Sequence, residues 1–169
     1  MRIQLGGLSD GIHEYNFACR PAEIGLDERF QTEIHVHALL DKTVHQAFLK
    51  AEISTSGLFA CDRCVRDVSL TFSPGYRMYY VVEGGETGDL DPSEVQVIPP
   101  GLNAIDIDDD VRQILLLAIP QKILCTRDCK GLCPECGRNR NADPCDCSVS
   151  IDDSRWEKLR EIRDSGLLN

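Results

Sequence analysis

Apolar and polar residues alternate in part from Phe30 to Leu40, with Thr32, Ile34, Val36 and Ala38 on one face, which predicts a half-buried strand. After a turn around Asp41-Lys42, Val44 to Ser54 continues the meander. Leu58-Phe59-Ala60-Cys61 runs into a tight Cys-Asp-Arg-Cys turn, and Val65 to Phe72 leaves it with Val68, Leu70 and Phe72 at even spacing. Pro74-Gly75 marks a further turn before Tyr76 to Val82, a segment rich in the aromatic and β-branched residues that strands favour. Glu83 to Pro92 is a polar, glycine-rich loop, and Val95 to Ile98 predicts a short strand closed by Pro99-Pro100-Gly101.

The pattern then changes period. Three acids, Asp108 to Asp110, precede the helix formers up to Ile119, and Pro120 stops the element. Acids belong at a helix amino terminus, where they meet the positive end of the dipole. This helix is expected to cover one face of the sheet. A last helix follows Ser154-x-x-Glu157, a capping-box signature, with Trp156, Leu159 and Ile162 along an apolar stripe. The expected fold class is α+β: an antiparallel β-rich domain with one packed helix over residues 1–124, a cysteine-rich knuckle over 125–150, and a terminal helix over 151–169.

Eight of nine cysteines fall in tight groups: Cys61 and Cys64, Cys125 and Cys129, Cys133 and Cys136, Cys145 and Cys147. Two residues between cysteines let both sulfurs reach one metal from a single turn, and zinc takes four such ligands at about 2.3 Å. Eight thiols therefore suggest two zinc ions. Cys133, Cys136, Cys145 and Cys147 form one self-contained knuckle. Cys61, Cys64, Cys125 and Cys129 form a second set that stitches the β domain to the tail. Spacing alone also allows Cys61 and Cys64 to share a metal with Cys133 and Cys136. Cys19 stands apart and reads as an ordinary thiol.

Charge and composition narrow the function. Of 169 residues, 18 are Lys or Arg and 28 are Asp or Glu, a formal charge of −10. Nine basic and nineteen acidic side chains lie in residues 1–120, against nine of each in 121–169. Non-specific coating of nucleic acid needs many cations facing phosphates, so the acidic part does not serve it. Phosphate contact belongs to the tail, where Arg127, Lys130, Arg138 and Arg140 surround the cysteines. These cations also suit a plainer role, offsetting the thiolate charge. No aromatic residue interleaves with them, which argues against sequence-specific RNA reading. No signal-peptide pattern opens the chain, and no apolar run approaches the ~20 residues of a membrane span. The expectation is a cytoplasmic protein whose thiols bind metal.

An enzyme finds little support. None of His13, His35, His37 or His45 lies near a cysteine group in sequence, and no nucleotide-binding, nucleophile-elbow or zinc-protease motif is present. His35 and His37 share a strand face, but such pairs are usually packed or solvated. A redox-sensing zinc–thiolate protein is the alternative class.

Phe59-Ala-Cys-Asp-Arg-Cys64, Ile105-Asp-Ile, Ile114-Leu-Leu-Leu-Ala-Ile-Pro120, Cys125-Thr-Arg-Asp-Cys-Lys-Gly-Leu-Cys-Pro-Glu-Cys-Gly137 and Cys145-Asp-Cys147 together resemble the YceD-like family of large ribosomal RNA subunit accumulation proteins. The resemblance implies a non-enzymatic role in the synthesis, processing or stability of large-subunit (23S) ribosomal RNA. It also implies partners: that RNA or its precursor, and a small zinc-ribbon protein of the large subunit.

Overall fold

The computed structural model describes residues 1–85, 87–147 and 154–164. The chain divides into two compact units, Met1–Cys125 and Thr126–Asn169. The first holds eight strands: β1 (Arg2–Gln4), β2 (Gly11–Cys19), β3 (Ile34–Lys42), β4 (Gln46–Ala60), β5 (Asp67–Phe72), β6 (Gly75–Val82), β7 (Val95–Ile98) and β8 (Ala104–Asp106), followed by helix α1 (Asp108–Leu117). The second unit carries helix α2 (Glu157–Asp164) after a 3-10 turn, Ser154–Trp156. The architecture is α+β and rich in antiparallel pairing.

Six strands make the main sheet in the order β2-β3-β4-β6-β7, with β5 also joined to β4, while β1 and β8 pair separately. The 15 residues of β4 alternate almost without interruption, and Leu49, Ala51, Ile53 and Phe59 are all at most 2 % exposed. One stretch of β4 (46–52) pairs with β6 and the other (55–60) with β5. At Gly57 a Cβ would lie 2.6 Å from the Arg29 carbonyl oxygen, which accepts from Leu58 N at 2.7 Å, so only glycine fits. Phe30, Phe59 and Phe72 pack there with ring centroids 5.5–5.7 Å apart.

Ile34, Val36, Ala38 and Leu40 of β3 face the same core as Leu49 and Ile53. Val111 and Leu115 of α1, with Ile3, Ile105 and Ile107, close it from the helix side. The helix thus covers the sheet as its pattern predicts, ending at Leu117 with Ala118 as its cap. Three of its acids stand in the first turn.

Other details differ from the pattern. β3 begins at Ile34, because Phe30 turns into the aromatic cluster and makes only an isolated bridge to Gly57. β7 runs parallel to β6, the polar glycine-rich segment between them carrying the chain back to start the strand again. β2, which the apolar pattern does not predict, pairs with β3 along its whole length. Trp156 of the 3-10 turn and Leu159 and Ile162 of α2 are exposed, and the Ser154 side chain of the capping signature lies outside the described residues. Among the described residues no helix is long and apolar enough to cross a membrane.

Candidate metal centres

β4 delivers Cys61 to the end of its core face, and the chain reverses through Asp62-Arg63-Cys64-Val65 into β5. Cys61 N donates to Arg66 O at 2.8 Å and Val65 N to Cys61 O at 2.9 Å, closing the turn. Asp62 N donates to Ile123 O at 2.8 Å, and Ile123 N donates to the Asp62 carboxylate at 2.6 Å. This clasp places Cys125 beside the turn, its sulfur 3.5 Å from that of Cys64.

The second unit repeats the device. Cys133 N donates to Arg138 O at 2.8 Å and Gly137 N to Cys133 O at 2.9 Å, with Leu132 and Asn139 bridging. Arg140 N donates to Gly131 O at 3.0 Å. Asn141, which cysteine spacing does not point to, donates its amide to Cys129 Sγ at 3.3 Å and accepts from Lys130 N at 2.8 Å.

The eight clustered cysteines gather in two groups of four, Cys61, Cys64, Cys125 and Cys129, and Cys133, Cys136, Cys145 and Cys147. Within each group the sulfurs lie within 4.8 Å of one another. Tetrahedral zinc–thiolate bonding needs sulfurs about 3.8 Å apart, so both groups have the size and donor chemistry for one such ion. No two cysteines are joined in a disulfide. Three of the first group are buried, whereas Cys136 and Cys147 of the second are exposed. Among the described residues no histidine joins either group. His37 instead bonds Glu14 at 2.8 Å on the sheet.

The ionisation of the thiols matches a cation site. Burial pushes the Cys61 thiol up, but the amides of Arg63, Cys125 and Cys64 outweigh it and bring the pKa down to about 6. For Cys133 the amides of Cys136 and Glu135 prevail, again to about 6. The Cys145 thiol is raised, first by its hydrogen bond with Cys133, and Cys147 is pushed up to about 12 by Cys136 and Cys145. Neighbouring sulfurs cannot all be anionic without a compensating cation, which is what a divalent ion supplies. Cys19, on β2 and outside both groups, is raised by burial and then by Asp108 and Glu23. Arg127, Lys130, Arg138 and Arg140 are all exposed in the second unit.

A family model described as "Large ribosomal RNA subunit accumulation protein YceD" matches residues 49–163. The chain belongs to this family. Among curated proteins, 66 residues are 35 % identical to the chloroplastic YCED homolog 1 of Arabidopsis thaliana, a large ribosomal RNA subunit accumulation protein. That match covers 39 % of this chain and only 21 % of the Arabidopsis protein. Uncharacterized proteins of Mycobacterium tuberculosis and Mycobacterium bovis are 27 % identical over 161 residues, which cover 92 % of this chain and 72 % of theirs. No solved structure matches.

Proposed function

We propose that this protein is a non-enzymatic ribosome biogenesis factor that supports accumulation of the large-subunit (23S) ribosomal RNA in the cytoplasm. Membership of the YceD family over residues 49–163 is the observation that carries the reading. Each cysteine group would hold one zinc ion, through Cys61, Cys64, Cys125 and Cys129 and through Cys133, Cys136, Cys145 and Cys147. Zinc held by four thiolates keeps no open position for a substrate, so the chemistry it supplies is structural.

The division of charge suggests how the factor works. The acidic residues of 1–120 suit a basic ribosomal protein, of which a small zinc-ribbon protein of the large subunit is the candidate. Arg127, Lys130, Arg138 and Arg140 suit the phosphates of ribosomal RNA or its precursor. In functional terms the chain would divide into a β-rich binding domain (1–124), a zinc knuckle (125–150) and a terminal helix (151–169).

The test is the ratio of large- to small-subunit RNA in cells lacking the protein, read from total RNA and a sucrose gradient. A selective fall in large-subunit RNA, restored by the wild-type chain, is the expected result. An unchanged ratio at every growth temperature would overturn the proposal.

A further inference from the structure

The two cysteine turns share their hydrogen bonds and differ in the residue type at one left-handed position. In each, the fifth residue donates its N–H to the carbonyl of the first: Gly137 to Cys133 and Val65 to Cys61, both at 2.9 Å. That residue is left-handed in both, with φ of 71° at Gly137 and 59° at Val65. Glycine takes this conformation without steric cost; valine, branched at Cβ, is a rare occupant. Among the described residues Val65 is the only non-glycine with positive φ. Burial does not compensate, because Val65 is 65 % exposed. The strain is balanced by what closes the turn, namely its two backbone hydrogen bonds and whatever joins the sulfurs of Cys61 and Cys64.

We propose that Val65 is a strain element that weakens metal binding at the Cys61 turn, making that metal exchangeable. The bound ion holds the turn closed against the strain, and its loss lets Val65 relax to extended backbone. The expected penalty relative to a glycine tip is roughly tenfold in affinity. This inference rests on the reading of the cysteine groups as metal centres and is independent of the ribosomal role.

The test titrates zinc against a chromogenic chelator using the full chain, comparing wild type with Val65→Gly, Val65→Asn and Val65→Ala. Asparagine tolerates the left-handed region and alanine does so less well, so the series ranks backbone strain apart from side-chain size. One zinc should bind roughly tenfold more tightly in Val65→Gly, nearly as tightly in Val65→Asn, and by an intermediate amount in Val65→Ala. The other zinc should be unaffected by all three and weakened by Gly137→Val. If Val65→Gly leaves zinc affinity unchanged and raises Tm of the zinc-free protein, the turn persists without metal and the proposal is overturned. If Val65→Ala matches Val65→Gly while Val65→Asn stays at wild type, side-chain bulk is responsible, which also overturns it. A wild-type chain that binds no zinc overturns the underlying metal reading, a separate and recognisable result.

Discussion

Asp62 and Ile123 hold each other by two hydrogen bonds, Asp62 N to Ile123 O at 2.8 Å and Ile123 N to the Asp62 carboxylate at 2.6 Å. Asp62 lies inside the first cysteine turn, and Ile123 lies two residues before Cys125. The pair is therefore a clamp on ligand placement. Removing the carboxylate in Asp62→Ala leaves Ile123 N without its acceptor and frees the approach of Cys125. Outer partners of metal ligands typically matter about 10- to 100-fold in affinity, and a loss of that size is expected for one zinc. Chelator competition on the purified variant measures it.

Metal loading should follow the thiols. Cys61 and Cys133 have lowered pKa values of about 6, so their ionised forms are favoured in the folded chain. Their contribution is fully present above the ordinary thiol range and is lost as pH falls through about 6. Cys145 is raised and Cys147 stands at about 12, so both keep their protons at neutral pH until a metal displaces them. Zinc binding by the second group at pH 7 should thus release at least the protons of Cys145 and Cys147, read with an indicator dye in weak buffer.

Gly57→Ala probes the close packing behind the first turn. The added Cβ would stand 2.6 Å from Arg29 O and 2.7 Å from a Phe59 ring carbon. Neither backbone nor ring can yield without disturbing the aromatic cluster, and a destabilisation of about 1–3 kcal/mol is expected in urea unfolding.

A contrasting variant tests the exposed cations. Arg138→Glu with Arg140→Glu changes side chains that stand in solvent, so Tm should hold while complementation of large-subunit RNA accumulation falls. Full complementation by this double variant would show that those residues are not needed for contact with the RNA.

Much of the first unit is written locally in the chain. β4, β5 and β6 show even spacing of apolar residues, and Asp108-Asp109-Asp110 with Pro120 brackets α1. β2 is less legible because its core-facing positions Tyr15, Phe17 and Cys19 are only half buried and alternate with Glu14 and Asn16 under a glycine-rich lead-in. The cysteine pairs are legible as pairs, since a turn brings close neighbours together. Their assortment into these fours is the favoured reading of the spacing, which also allows Cys61 and Cys64 to join Cys133 and Cys136; the choice is made by contacts between distant segments such as Asp62 with Ile123, through which Cys125 reaches Cys64. Asn141 escaped for a similar reason, as its amide meets Cys129 through the fold of the loop and not through a recognisable spacing. The strain at Val65 was equally silent, since residue type alone does not state a backbone angle.

The length of β4 makes it a ruler with parity. From Ala47 through Leu49, Ala51, Ile53, Thr55, Gly57 and Phe59 every second residue turns to the core, and Cys61 is the next mark on that scale. Deleting one residue anywhere along it would leave either the core or the cysteine on the wrong side of the sheet, because a single step inverts every side chain beyond it. Deleting two would restore the face but draw Cys61 back by about 7 Å, too far for its sulfur to stay with the others. The distance between core and ligand is thus counted in whole pleats, and β4 tolerates substitution far better than any change in its length.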